Sequence, residues 1–462
     1  MHDQPGHESR ISFAIIPHPH MLQVLMLPAS GGWDLPSVTL RGLEGDSWWR
    51  EVAPVNEAFG ALLGWRVTTR SCAGVDTFTP EVGTLFVLEL HDLAPAVPRG
   101  GRWVDVVGLE ALPLAIPAHR SVLLAEFATM TRDLEMTGRL AWTRPGWFTT
   151  AAMWLEEHVH AHGLAPVGPV EQVRTWHWSC ILQVATTEGV VYLKAAPPIY
   201  VYEPVLTQAL AQEYPERLAP VLAVEPAQGW LLMAGVGGVK LRQHPDEAKY
   251  LPRWEALLRD MTRIQRNYIA RVPELVAWGC LDLRPAHLAD ALDPLLADLA
   301  GLLTGRTPEL SIGEVATIES LAPQLKQMCV ELEGYGIPAT LTHGDFHSGN
   351  ILATENECRV LDWAGFVGIA HPFCCLSVVF EEHGDPVIRA RLRDIYLEGW
   401  TDYAPLDQLR RAVDLAVPLG LLSGALGHHL QVTTAPPLWD AAVARANLAW
   451  CLRELIKAMP SG

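Results

Sequence analysis

The segment LTHGDFHSGN, residues 341–350, sets His343, Asp345, His347 and Asn350 within eight positions, between two apolar stretches. The polar turn TENE that follows separates ILA from CRVLDW, which reads as a hairpin with Asn350 and Asp362 at its open end. Across such a ladder the two lie about 5 Å apart, and Asp345 faces the same spot. An Asp and an Asn aimed at one point suit a hard octahedral cation such as Mg²⁺, which keeps waters that phosphate oxygens can replace. Asp345 is then left to accept a proton from, or to orient, an attacking hydroxyl.

Phosphoryl transfer needs this division of labour, because it depends on positioning and charge neutralisation more than on covalent chemistry. The spacing agrees: His343 precedes Asp345 by two and Asn350 follows it by five, as in H-R-D-x-x-x-x-N, with a metal-binding Asp on the next hairpin. Asp345 and His343 are therefore the candidate catalytic residues, His343 by bracing the loop backbone. A metal shared by His343 and His347 would need a third ligand, and no such pattern follows. His347 is read as packing or touching substrate.

A nucleotide also needs a cation on its phosphates. Of 34 Lys and Arg only five are Lys, and the first is Lys194, closing VVYLKA. A compact ammonium at a strand end, on the same face as Tyr192, suits a phosphate contact better than a guanidinium. A Lys capping an exposed strand is the bland alternative. Glu203, at the start of a helical pattern nine residues on, is the candidate ion-pair partner of Lys194, and Glu213 is the second choice.

The elements that must place these groups are partly legible. The first third reads as β-rich, with runs at 11–16, 22–27 and 84–90 and helices over about 51–63 and 119–136. Pro and Trp in LAWTRPGW (140–147) mark a boundary before the helix TTAAMWLEEHVHAHG. CILQVATTEGVVYLKA then predicts a hairpin, and from about 241 apolar positions three and four apart predict helices. The division expected is 1–138, 139–240 and 241–462.

Composition narrows the class. A formal charge of −18 argues against a sequence-independent grip on nucleic acid. A neutral or cationic small molecule suits the surface better. Eight Cys without paired spacing, apart from Cys374 and Cys375, read as free thiols. MHDQPGHESR lacks the basic start and apolar run of a signal peptide, and no run approaches the ~20 apolar residues of a membrane helix. A cytoplasmic protein with no membrane partner is expected.

HGDFHSGNIL with VLDWAG resembles the catalytic and metal-binding segments of the aminoglycoside phosphotransferase family, which shares a two-lobed protein-kinase-like fold with choline and homoserine kinases. VYLKA followed by EPVLTQAL resembles its nucleotide-binding Lys and helix, MAGVGG (233–238) its hinge, and IAHPFCCL (369–376) the segment after the metal Asp. The resemblance, over roughly 140–462, implies an α+β fold with a small β-rich N-lobe and a large helical C-lobe. It implies ATP and Mg²⁺ as cofactors, Asp345 as base, Asn350 and Asp362 as metal ligands, Lys194 on ATP phosphates and Glu203 supporting that Lys. Two departures stand out: TWHWSCI (175–181) has no glycine where a Gly-rich phosphate loop is expected, and Cys375 or a neighbour stands where many members have Asp.

The N-terminal third resembles a Nudix domain in layout, a β-rich α/β unit. Aligning Gly64 and Trp65 with the end of that family's motif puts Glu57, Ala58, Ala61 and Leu62 where Arg and three Glu are needed. A scaffold without hydrolase activity, acting in docking or as a lid, is expected. The activity expected of the whole is phosphorylation of a small-molecule hydroxyl on an aminoglycoside-like antibiotic, amino alcohol or sugar. The acceptor is placed between the lobes near Glu381, Glu382 and Asp385, although a solvated helix end explains those three as well. The rival reading is a catalytically silent kinase-like binding or regulatory protein.

Overall fold

The apolar runs at 11–16, 22–27 and 84–90 become β1 (Arg10–Ile15), β2 (Val24–Ala29) and β6 (Thr84–Leu90), joined by β3 (Gly32–Asp34), β4 (Ser37–Leu40), β5 (Val67–Ala73) and β7 (Arg102–Val104). The structure is a computed structural model describing residues 10–41, 48–73, 84–92, 96–98, 100–132, 139–244, 249–303, 310–434 and 442–459. The start MHDQPGHES and positions 133–136 of the expected helix lie outside the described residues. Contacts divide the chain into two compact units, Met1–Pro198 with Trp230–Ala234, and the remainder.

In the first unit the order is β4-β1-β6-β5, with β1 antiparallel to β4 and parallel to β6. β3, β2 and β7 form a second sheet. Helix α1 (Ala53–Leu63) buries Val55, Phe59 and Leu63, four residues apart on one face, and ends at Gly64 with φ 70°. It starts at Ala53, so Glu51, expected within the helix, lies just before it. The core between β1, β2 and β6 is closed by Leu109 of α2 (Val106–Ala111) and by Leu123 and Phe127 of α3 (His119–Arg132).

Helix α4 (Trp147–Ala161) leads to β8 (Glu171–Thr175), β9 (Cys180–Thr186) and β10 (Gly189–Ala195). The TTEG turn pairs Thr186 with Gly189 as the hairpin signature predicts. The N-terminal layer is joined to β8 along its length. Val52 N donates to Val173 O at 3.0 Å. Gln172, 4 % exposed, accepts from Thr69 N at 2.7 Å and donates to Thr69 O at 2.8 Å. Glu51 pairs with Arg174. The expected boundary at 138/139 lies within the first of the two compact units.

The second unit holds α5 (Glu203–Glu213), β11 (Val221–Glu225) and, after β12 (Trp230–Ala234) of the first unit, everything beyond. Its helices are α6 (Tyr250–Tyr268), α7 (Val272–Trp278), α8 (Pro285–Leu303), α9 (Ile312–Glu333), α10 (Leu376–Glu382), α11 (Pro386–Glu398), α12 (Leu406–Thr434) and α13 (Ala442–Ala458). Trp254, Leu257, Leu258, Met261, Ile264 and Tyr268 of α6 are buried, as spacing by three and four requires. Short strands carry the loops: β13 (Val239–Lys240) pairs with β16 (Ile351–Ala353), which pairs with β17 (Cys358–Val360). β14 (Leu281–Leu283) and β15 (Thr340–Thr342) flank β18 (Gly368–Ala370). Among the described residues no helix is long and apolar enough to cross a membrane.

Candidate active site

β15 ends at Thr342, and the chain turns at Gly344 with φ 68°, where a Cβ would lie 2.2 Å from Phe366 O. Only glycine fits there, and the turn delivers Asp345. Asn350 donates its amide N–H to Asp345 Oδ2 at 2.8 Å and to Asp345 O at 3.0 Å, which leaves its own Oδ1 for another partner. His347 Nδ1 accepts from Gly349 N at 3.0 Å, so its proton sits on Nε2, 3.5 Å from Asp345 Oδ2. Burial pushes the Asp345 carboxyl up, but the hydrogen bond and charge of His347, with His343 behind it, outweigh burial and hold it below the ordinary carboxylate range. Asp345 is thus an anion at neutral pH, with its side chain 39 % exposed.

The expected hairpin forms, with Ile351 opposite Val360 and Ala353 opposite Cys358, one residue out of the register that would set Asn350 directly across from Asp362. Leu361 N donates to Asn350 O at 2.8 Å, so Asn350 stands opposite Leu361 and Asp362 comes one residue later. Asp362 is exposed and has φ 62°, the single positive φ outside glycine among the described residues. That backbone costs an L-residue about 1–2 kcal/mol, least for Asp and Asn, and such strain collects at functional sites. His343 is fully buried and donates from Nε2 to Leu361 O at 3.0 Å, tying the Asp345 turn to the backbone beside Asp362. Burial lowers its pKa and keeps it neutral, as a brace requires.

The three acidic candidates for substrate binding separate. Glu382 accepts from Ser348 N at 2.7 Å, from the Ser348 hydroxyl and from Tyr250 Oη at 2.9 Å; it holds the Asp345–Asn350 turn. Asp385 caps α11 through Val387 N at 2.7 Å, and its carboxylate is occupied there. Glu381 differs from both, with Oε1 buried and without a hydrogen-bond partner among the described residues. Burial, then Glu454 and Asp345, push its carboxyl up to about 7.

A cavity of about 420 Å³ within the second unit is lined by Asp345, His347, Glu381, Glu382, His428 and Trp450, among others. Sequence reasoning missed His428 and Trp450, which lie on α12 and α13 far from any motif. His428 donates Nδ1–H to Gln431 Oε1 at 2.8 Å, and burial pulls its pKa down to about 4, so Nε2 is an acceptor. Cys375, standing near the expected Asp, is buried with Sγ 3.6 Å from Tyr396 Oη. Support of the loop comes instead from Glu382 and His343.

The nucleotide candidates lie elsewhere. Lys194 is on β10 opposite Ile181 in the first unit, and Glu203 is 2 % exposed in the first turn of α5 in the second. Glu213 is engaged by Arg271 and, at 3.5 Å, by Tyr268 Oη. Among the described residues no group of three or more His, Cys, Asp or Glu forms a metal cluster.

The sequence profile of the phosphotransferase enzyme family matches residues 172–409. This is more than half of the chain, and the protein belongs to that family. No curated protein sequence matches the chain. Three solved structures are among those similar to the chain. A choline/ethanolamine kinase family protein from Mesorhizobium loti is 15 % identical, covering 67 % of this chain and 98 % of its own, with a TM-score of 0.43. A macrolide 2′-phosphotransferase from Brachybacterium faecium is 15 % identical over 64 % and 97 %, at 0.42. Choline kinase from Streptococcus pneumoniae is 12 % identical over 66 % and 99 %, at 0.42.

Proposed function

We propose that the chain transfers the terminal phosphoryl group of ATP, with Mg²⁺, to a hydroxyl of a small molecule. The observation that carries this reading is the anionic Asp345, held by Asn350 and His347 at the edge of a 420 Å³ cavity. A hydroxyl in that cavity would give its proton to Asp345 as its oxygen bonds phosphorus and the bond to the ADP oxygen breaks. His347 Nε2–H keeps the carboxylate oriented.

The donor set fits Mg²⁺. Asn350 has Oδ1 left over and Asp362 offers an exposed carboxylate on strained backbone, both hard oxygen ligands. These two residues would hold the ion, which supplies charge neutralisation on the phosphates when bound. Lys194 would meet those phosphates, with Glu203 supporting it. Glu381, anionic above about pH 7, and the half-exposed Trp450 ring suit an acceptor carrying a cationic amine, as in an aminoglycoside or amino alcohol. Residues 1–138 are read as a Nudix-like scaffold without hydrolase activity, 139–240 as the N-lobe and 241–462 as the C-lobe.

The test is ATP turnover over a panel of hydroxyl-bearing amines, sugars and antibiotics. Acceptor-dependent ADP release, lost in Asp345→Asn, is expected. Nucleotide binding with no turnover on any acceptor would favour the silent binding protein.

A further inference from the structure

The turn between β8 and β9, Trp176–Ser179, contains no glycine, and none of its residues has a positive φ. An anion-binding nest alternates right- and left-handed backbone, so this turn cannot form one. Its place in the sheet is nonetheless beside the phosphate candidate. Thr175 pairs with Cys180, Cys180 with Ala195, and Lys194 with Ile181, one step into the sheet. The turn therefore starts directly beyond the row that adjoins Lys194.

What fixes this turn comes from the N-terminal layer. The Arg50 guanidinium lies 3.8 Å from the centroid of the Trp176 ring and 5.2 Å from that of Trp49. Trp49 in turn stacks on His177 at 6.5 Å. Trp142 Nε1 donates to Trp176 O at 3.0 Å, and Trp176 Nε1 donates to Ser179 Oγ at 3.0 Å. Trp49, Trp142 and His177 are 6 %, 3 % and 9 % exposed. A bulky four-residue turn, mobile by itself, is thereby locked into one shape from outside the family match, which begins at Gln172. Arg174 is neutralised by Glu51, so Arg50 carries the local positive charge. Its Nε is buried without a hydrogen-bond partner among the described residues. Burial and Arg174 lower its pKa only to about 10, and it stays charged.

We propose that Arg50 is a positioning residue for nucleotide phosphates: the N-terminal layer replaces a glycine cradle with a turn fixed from outside, held by stacking of Arg50 on Trp176. This rests on reading Lys194 as a phosphate contact. It gives the N-terminal layer a task on the nucleotide side, where the sequence suggested docking or a lid.

The test is calorimetric binding of Mg·ADP and of adenosine to the full chain, with thermal melting as a control. Arg50→Ala should weaken ADP about tenfold, the scale of one stacked cation in a desolvated setting, and leave adenosine within about twofold. Arg50→Lys, which keeps the charge but loses the planar stack, should lie between parent and Ala. Lys194→Ala separates the layers of argument. If it weakens ADP while both Arg50 variants bind like the parent, the turn needs no external clamp and the inference fails alone. If Lys194→Ala also binds ADP like the parent, the phosphate site lies elsewhere and both readings fall. Equal losses for ADP and adenosine would make Arg50 a general structural residue, overturning its phosphate role. Should Arg50→Ala not fold, Arg50→Lys decides by the same comparison.

Discussion

The Asp345 loop and the β8–β9 turn both sit beside residues assigned to phosphate chemistry, yet they are built in opposite ways. The loop is organised from within: Asn350 reaches Asp345 five residues away, and Gly349 N reaches His347 two residues away. The turn is organised from without, by Arg50 and Trp142, more than 30 residues distant in each case. Short-range hydrogen bonds need particular residue types at fixed spacing and leave a motif. A clamp of stacked rings needs only bulk and charge at the right place in space, and leaves none.

Four sets of variants would sharpen or break this contrast, and a fifth probes the layer that supplies the clamp. Asp345→Asn should lower turnover by about 100-fold or more, the scale of a positioned base, while melting temperature and ADP affinity stay at the parent's values. Retained turnover would remove Asp345 from the chemistry. Asp362→Ala should abolish the Mg²⁺ dependence of ADP binding, read by calorimetry with and without the ion. It should also melt below Asp362→Asn, because Ala tolerates the left-handed backbone less well.

Glu382→Gln tests whether the loop is supported as described. Replacing a charged acceptor of two Ser348 donors should reduce kcat roughly tenfold, about the 1.4 kcal/mol in the range lost with a charge-assisted bond. The acceptor KM should hold. A raised KM at constant kcat would instead make Glu382 a substrate ligand.

Glu381→Gln should act through pH. With its native pKa near 7 and an unfolded value near 4.3, the folded state binds the proton more tightly. Its contribution to stability is full below the unfolded value and is lost as pH rises through about 7. The neutral variant should therefore melt higher than the parent at pH 8 and alike at pH 4, as calorimetric scans at both pH values would reveal. The smallest effect expected is none: Glu57→Gln should change neither kinase turnover nor any hydrolysis of nucleoside diphosphate derivatives, since Ala58, Ala61 and Leu62 leave Glu57 without companion carboxylates. Loss of a hydrolytic activity in that variant would reveal a second active site.

Legibility followed the same divide. The HGDxHxxN turn, the hairpin after Asn350 and the TTEG turn were readable because each is closed by bonds between near neighbours, although the hairpin sets Asn350 across from Leu361 and not Asp362. Glu381 and Glu382 looked equivalent in sequence, but successive helical residues point about 100° apart. Both border the cavity, but Glu382 is bound to Ser348 while Glu381 keeps a buried Oε1 without a hydrogen-bond partner among the described residues. Asp385 precedes a proline at a helix start, the sequence mark of a cap, which is its role here. The tie of Glu51 to Arg174, across 123 positions, had no signal at all in the sequence.

Helix α12 passes the cavity with Gly420 and Gly424 in its wall. An added methyl at Gly420 would lie 2.4 Å from Cys374 O, whereas at Gly424 it would meet only Cys451 Sγ at 3.4 Å. The first position is closed to change by its backbone neighbour. The second is a dial on cavity width: a small side chain there narrows the cavity while the Asp345 loop stays as it is, and on the proposed function it would change which acceptors fit, a route by which selection or a protein engineer could alter acceptor preference.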